Sequence, residues 1–164
     1  MKICRFLPQQ SNPSAQKSES AVPKFGLIEG DEVYELTAAP WSALSRGTTT
    51  YPIAAVKFVA PVTPTKIVCV GRNYAAHAAE LGNEIPKEPM IFLKPPSSIV
   101  GPGEPIVLPK YSQRVEHEGE LAIVIGKTCS HLSDNDNPLS YVFGYTCAND
   151  VTARDLQKAD VQFT

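Results

Sequence analysis

The chain has 164 residues, of which 43% are hydrophobic and 20% are charged, and its 15 lysines and arginines stand against 17 aspartates and glutamates. These fractions are typical of a folded globular chain, and a formal net charge of −2 gives no basis for a nucleic acid or an anionic membrane as partner. No apolar run approaches the ~18–20 residues of a spanning helix, and the N-terminus MKICRFLPQQ lacks the apolar core of a signal peptide, so a cytoplasmic protein is expected.

The first part of the chain predicts a small β-rich domain over residues 1–64. It begins with a strand in MKICRF, followed by a loop rich in Ser, Gln and Pro over residues 8–23. Two alternating runs in FGLIEGDEVYEL then flank Gly30 and Asp31, which is typical of a hairpin. The prolines of residues 39–64 predict a connector to the second domain, residues 65–164.

The second domain begins with a short apolar run, KIVCV, which is suited to a buried strand. The next residues predict a helix, because Asn73 can cap its start, alanines favour its interior and Gly82 can end it. An extended stretch broken by prolines follows.

The last part of the chain predicts two strands and a helix. The strands are VEHEGELAIVIG and SYVFGYTCAND, and the helix lies in TARDLQKAD. Thr152 with Asp155 three residues later resembles a capping box for this helix.

Three alternating glutamates are the most informative feature of the sequence. In a strand, Glu116, Glu118 and Glu120 share one face, followed on that face by Ala122 and Val124. Carboxylates stacked in this way repel each other and resist desolvation, so a basic neighbour or a hard divalent cation such as Mg²⁺ or Ca²⁺ must compensate. The alternative is a solvated strand edge with scattered glutamates.

A further acid, Asp150, stands at the end of the next strand. Taken alone it is a cap or turn residue. Beside Glu118 and Glu120 it becomes a candidate third ligand, which would leave open positions on an octahedral ion for water and substrate.

His77 and Glu80 form a candidate general base. At positions i and i+3 of a helix they share a face, and a carboxylate beside an imidazole orients it and raises its basicity. The alternative is an incidental pair on a surface helix.

Four motifs in order resemble the fumarylacetoacetate hydrolase family, in its acylpyruvase and oxaloacetate-decarboxylase-like branch. They are KIVCVGRNYAAHAAELG, PMIFLKPPSSIVGPG, HEGELAIVIGK and GYTCANDVTARDLQ, and together they span residues 66–160. The resemblance implies an α+β, β-rich fold. This fold is a mixed β-sheet roll with few short helices, preceded by a small N-terminal β domain, and it is commonly homodimeric.

The resemblance also implies roles for individual residues. The metal ligands fall on Glu118, Glu120 and Asp150, and the base dyad falls on His77 and Glu80. The implied substrate contacts are Arg154, Gln157, Lys94 and Arg72. The implied cofactor is Mg²⁺, with Mn²⁺ or Ca²⁺ as alternatives.

The activity implied by the resemblance is that of a metal-dependent enzyme acting on small 2-oxo or 1,3-diketo acids. The first expectation is C–C bond hydrolysis of an acylpyruvate through an enolate that the cation stabilises. Oxaloacetate decarboxylation, or isomerisation and tautomerisation of a 2-oxo acid, fits the same site.

Family members continue past the position of Thr164 through a lysine-bearing segment and more sheet, so an incomplete roll is expected. A metal-binding chain without turnover is therefore a further alternative. The last alternative is a structural or interaction domain without a catalytic or metal site, in which the glutamates are solvated.

Overall fold

The structure is a computed structural model that describes residues 1–9, 22–76, 82, 84 and 86–160. Within these residues the chain forms eleven strands, three short 3-10 segments and one complete short α-helix, which confirms the prediction of a β-rich fold with few helices. Every strand pair that the structure describes is antiparallel. No helix in this part of the chain is both long and apolar enough to cross a membrane.

The N-terminal part forms one five-stranded sheet with the order β4-β3-β2-β1-β5. Its strands are β1 (Lys2–Pro8), β2 (Lys24–Glu29), β3 (Glu32–Leu36), β4 (Arg46–Pro52) and β5 (Val56–Phe58). The predicted hairpin is confirmed, because β2 pairs with β3 around Gly30, whose φ of 59° is the left-handed conformation that glycine adopts without strain.

The core of this sheet is small and closely packed. Cys4, Phe6, Val33 and Val56 are buried in it, and Phe6 and Val33 have no exposed surface. Gly26 passes so close to them that a Cβ at this position would lie 2.4 Å from Val33 Cγ1 and 2.9 Å from Phe6 Cε1. The glycine therefore lets β2 approach the two fully buried side chains of the core.

The prediction that residues 39–64 form a connector is wrong, because this segment supplies β4 and β5. Its prolines lie around the strands: Pro40 precedes β4, Pro52 is its last residue, and Pro61 and Pro64 follow β5. Proline is tolerated at strand ends, where no ladder hydrogen bond is lost. The domain boundary near residue 64 stays a prediction.

The rest of the chain forms three two-stranded sheets and the helix. The pairs are β6 (Ile67–Gly71) with β7 (Met90–Lys94), β8 (Val115–Glu116) with β11 (Thr152–Ala153), and β9 (Gly119–Ile125) with β10 (Val142–Asn149). The helix, α1 (Arg154–Ala159), follows β11 directly.

Burial alternates along β9 as the sequence predicts. Glu120, Ala122 and Val124 lie on the half-buried face, and the intervening apolar residues are exposed. The same alternation in β6 and β7 leaves one apolar face of each pair open. The exposed apolar side chains of these strands are Val68, Val70, Ile91, Leu93, Leu121, Ile123 and Ile125.

The expectation of one continuous strand in VEHEGELAIVIG is wrong, because the strand is interrupted at His117 and Glu118. The two halves pair with different partners, β8 with β11 and β9 with β10. At the interruption, the Asn149 side chain accepts a hydrogen bond from the Glu118 N–H at 3.1 Å. Glu116 therefore lies on a different strand from Glu120.

The predicted capping box is also wrong. Thr152 belongs to β11, and its hydroxyl donates to the Asp150 carbonyl at 3.1 Å instead of capping α1. The Asp155 carboxylate accepts 2.7 Å hydrogen bonds from the Ser112 hydroxyl and the Gln113 N–H, which lower its pKa. Asp155 thus ties the start of α1 to the segment before β8.

Candidate active site

The backbones of the two central acids lie side by side at the end of the β9–β10 pair. The Asp150 N–H donates to the Glu118 carbonyl at 2.9 Å, one step beyond the last ladder pair. Within the ladder, Glu120 lies opposite Ala148. The backbones of Glu118, Glu120 and Asp150 therefore lie close together at one end of this strand pair.

Lys94, the last residue of β7, provides the counter-charge of Asp150. Its Nζ lies 2.6 Å from Asp150 Oδ1, and the two side chains are only 25% and 15% exposed. Although the two atoms are this close, Oδ1 is buried and has no hydrogen-bond partner among the described residues. The distance makes the contact a direct ion pair, with no room for another group between the two atoms.

The Cys69 thiol of β6 lies near the same charged groups. Burial raises its pKa, and the negative charge of Asp150 raises it further. The positive charge of Lys94 lowers this pKa, and the negative charge of Glu120 adds a smaller rise. Side chains from β6, β7, β9 and the end of β10 therefore meet in one place.

Arg154, the first residue of α1, is a second internal cation. Its Nε donates to Glu116 Oε2 at 2.9 Å, its Nη1 donates to Gln157 Oε1 at 3.0 Å, and its Nη2 donates to Glu118 Oε1. Its side chain is 12% exposed. Burial lowers the pKa of Arg154, but the two glutamates outweigh it and raise the pKa overall. Hydrogen bonds from Arg154 and then Arg114 lower the pKa of Glu116.

The compensation that the glutamates require is thus supplied, in the described conformation, by basic neighbours. Carboxylate oxygens are also the ligands that Mg²⁺ and Ca²⁺ prefer, although Lys94 already occupies the buried Oδ1 of Asp150. In the part of the chain that the structure describes, no group of three His, Cys, Asp or Glu side chains converges closely enough to hold a metal ion. The donor chemistry fits a divalent cation, and the ligand set Glu118, Glu120 and Asp150 stays a prediction.

The residues expected to contact substrate lie in different settings. Arg154 and Gln157 bind each other, and Lys94 contacts Asp150. Arg72 is exposed in the turn after β6, where its φ of 55° is unusual for a residue with a side chain. The base dyad of His77 and Glu80 lies outside the described residues, although Ala75 and Ala76 just before it are helical.

Three residues of this region were missed by sequence reasoning. Cys69 could have been placed there from the alternation of KIVCV, and Asn149 from its position directly before Asp150. Tyr74 carried no such signal, because its partner is distant in sequence: the Leu121 N–H donates to the Tyr74 hydroxyl at 3.1 Å.

We expect Tyr74→Phe to loosen the attachment of the turn after β6 to β9. The change removes one hydrogen bond to the strand that carries Glu120, so the free energy of unfolding should fall by about 0.5–1.5 kcal/mol. Amide hydrogen exchange at Leu121 should become faster, while the amides within the five-stranded sheet keep their protection. Tyr111→Phe is the matched control, because Tyr111 is 76% exposed. Unchanged protection at Leu121 would show that the hydroxyl does not hold this strand.

Comparison with known proteins shows the family. Residues 66–164 match the family model described as fumarylacetoacetate (FAA) hydrolase C-terminal. The chain belongs to the fumarylacetoacetate hydrolase family. Residues 1–61 match a second model, described as Rv2993c-like, N-terminal. The resemblance inferred from the four motifs is confirmed.

Two curated relatives within the fumarylacetoacetate hydrolase family illustrate the match. Protein Rv2993c of Mycobacterium tuberculosis is 44% identical over 147 residues, which cover 85% of this chain and 55% of that protein. The human mitochondrial oxaloacetate tautomerase FAHD2A is 52% identical over 107 residues, which cover 65% of this chain and 34% of that protein. The chain therefore spans about a third to a half of the length of these relatives.

A solved structure of the same fold supports the architecture. The 5-carboxymethyl-2-hydroxymuconate delta-isomerase from Mycobacterium smegmatis is 37% identical, with a TM-score of 0.80. The alignment covers 99% of this chain and 59% of that protein. The predicted fold of this family is thus confirmed for the part that the chain contains.

Proposed function

We propose that this chain carries the acidic site of an enzyme that moves a proton on a small 2-oxo acid, in a keto–enol tautomerisation or a related double-bond isomerisation. This is one of the alternatives that the sequence left open. Two relatives support it by name, since one is an oxaloacetate tautomerase and the other a hydroxymuconate isomerase. Because the chain spans only part of these proteins, the proposal concerns the complete protein that contains these residues.

The observation that carries the proposal is the juxtaposition of Glu118 and Asp150 across the end of β9 and β10, with Glu120 two residues along. These three carboxylates would hold one divalent cation, with Mg²⁺ as the first choice and Mn²⁺ or Ca²⁺ as alternatives. When bound, such an ion polarises the keto group of a 2-oxo acid and makes the neighbouring carbon more acidic. The chain's own part is to fix these carboxylates on two hydrogen-bonded strands.

His77, assisted by Glu80, is the proposed proton carrier. In a tautomerisation the base takes a proton from the carbon beside the keto group, and the electron pair of that C–H bond moves toward the oxygen. Return of a proton to the oxygen completes the enol, so no other reactant is needed. This role rests on the i, i+3 spacing of the two residues and on the family resemblance.

Hydrolysis of an acylpyruvate remains the second candidate, as the name of the matching family favours it. It requires the same base to activate a water molecule for attack on the distal carbonyl, after which the C–C bond breaks. A chain that binds a cation without turnover is the candidate of another class.

The proposal is tested by two assays on one sample of the complete protein with Mg²⁺. We expect the enol–keto interconversion of oxaloacetate, followed by ultraviolet absorbance, to be accelerated, while an acylpyruvate is left intact. Removal of Mg²⁺ with a chelator should abolish the acceleration, and its restoration should recover it. Cleavage of the acylpyruvate without faster tautomerisation would refute the proposal in favour of hydrolysis.

A further inference from the structure

Lys94 contacts one carboxylate oxygen of Asp150, a proposed ligand of the cation. Its ammonium group lies 2.6 Å from Asp150 Oδ1, a buried oxygen that accepts no hydrogen bond from the described residues. The position of Lys94 is set by the strand, because β7 pairs with β6 and places Lys94 opposite Ile67. The ammonium group also lies 5.9 Å from the centre of the Phe92 ring, so its surroundings are partly apolar.

A buried carboxylate needs an opposite charge, because desolvation of an unpaired ion is costly. One oxygen of Asp150 cannot serve Lys94 and a divalent cation at the same distance, since the two cations would then repel each other within a few ångströms in a region that water screens poorly. A divalent cation that takes Asp150 Oδ1 therefore displaces the ammonium group, and one that takes Oδ2 still meets the charge of Lys94 within a few ångströms.

Removal of the Lys94 charge is easier to interpret than removal of the Arg154 charge. Arg154 binds Glu116 and Gln157 in addition to Glu118, so its removal disturbs three contacts at once. Among the described residues, Lys94 forms its ion pair with Asp150. A change at Lys94 thus acts chiefly through Asp150.

We infer that Lys94 is a positioning residue that acts as an internal counter-ion: it neutralises Asp150 in the ion-free protein and releases it when a divalent cation binds. The inference rests on the proposed role of Asp150 as a ligand. It gives Lys94 a function other than the substrate contact that the family resemblance implies, and it makes the affinity of the site for Mg²⁺ a result of competition between two cations.

The test is a titration of Mg²⁺ into the complete protein that contains this chain, measured by calorimetry and by the melting temperature. Lys94→Met should bind Mg²⁺ at least about tenfold more tightly than the unaltered protein, because the competing charge is gone. Without Mg²⁺ the same variant should melt at a lower temperature than the unaltered protein, because Asp150 is left unpaired. Lys94→Arg, which keeps the charge, should restore the original affinity and melting temperature.

Two further variants complete the experiment. Lys57→Met is the matched control, because Lys57 pairs with Glu104 at 3.3 Å in an exposed setting, and its Mg²⁺ affinity should stay unchanged. The double variant Lys94→Met with Asp150→Asn should melt above Lys94→Met alone in the absence of Mg²⁺, because both charges are gone. If Lys94→Met folds only when Mg²⁺ is present, the inference is equally supported.

The outcomes separate this inference from the proposed function. Mg²⁺ binding by the unaltered protein, with equal or weaker binding by Lys94→Met, would overturn the role of Lys94 and leave the proposed function standing. A double variant that is no more stable than Lys94→Met would overturn it as well. If neither the unaltered protein nor any of its variants binds Mg²⁺, the proposed metal site itself is wrong.

Discussion

Glu118→Gln is expected to lower kcat/KM of the complete protein by about 10³-fold at saturating Mg²⁺. The change removes one of three proposed ligands and leaves an amide that holds a cation weakly. Since a bound cation supplies several kcal/mol of transition-state stabilisation and each 1.4 kcal/mol is tenfold in rate, a loss of this size follows. The measurement is the initial rate of oxaloacetate tautomerisation as a function of substrate and Mg²⁺ concentration.

The control for this variant is Glu88→Gln, which removes an equal charge at an exposed position before β7 and should keep the original rate. The Mg²⁺ dependence of the melting temperature should be lost in Glu118→Gln and kept in Glu88→Gln. If Glu118→Gln retains full activity and an unchanged Mg²⁺ requirement, this glutamate does not serve as a ligand.

Phe6→Ala is expected to cost the N-terminal sheet about 3–5 kcal/mol in free energy of unfolding. Phe6 has no exposed surface, and its ring packs edge-on against Tyr51 with centroids 5.2 Å apart. The buried cluster around it is small, so little of the neighbouring structure can collapse into the space that the ring leaves. Urea denaturation followed by circular dichroism measures the change.

Tyr111→Ala is the comparison for this variant, because it removes a ring of similar size from an exposed position and should change the free energy of unfolding by less than about 0.5 kcal/mol. A loss below about 1 kcal/mol for Phe6→Ala would mean that this cluster does not hold the sheet together.

The strands with a strict alternation were predictable because burial follows the period of two along a strand. The half-buried face of Glu120, Ala122 and Val124 is an example, and the hairpin at Gly30 is another, since its turn requires a residue that tolerates positive φ. In both cases the information lies within a few neighbouring residues.

The features that sequence reasoning missed depend on partners far along the chain. The strand breaks at His117 and Glu118 because β8 and β9 pair with different strands, and Asn149 fills the gap. Thr152 fits a capping box locally, but the tertiary structure uses it as a strand residue that bonds to the Asp150 carbonyl. Local patterns cannot specify such pairings.

In the candidate site, too, some features follow from neighbouring residues and others depend on partners far along the chain. The sequence indicated the acids Glu118, Glu120 and Asp150 and the need for a compensating positive charge. It could not say that Lys94 and Arg154 provide that charge, because they come from a separate strand and from the helix that follows β11. The need for a compensating charge was therefore predictable from neighbouring residues, and the identity of the cations that supply it was not. The ligand set itself stays a prediction.

Glu118, Glu120 and Asp150 are proposed to bind one divalent cation together. Crystals of the complete protein grown with Mn²⁺ test this directly, because the anomalous scattering of manganese distinguishes the ion from the protein atoms. We expect one anomalous peak within coordination distance of all three carboxylates, with the Lys94 ammonium withdrawn from Asp150. A map without a peak there, in which Lys94 still contacts Asp150, would contradict it.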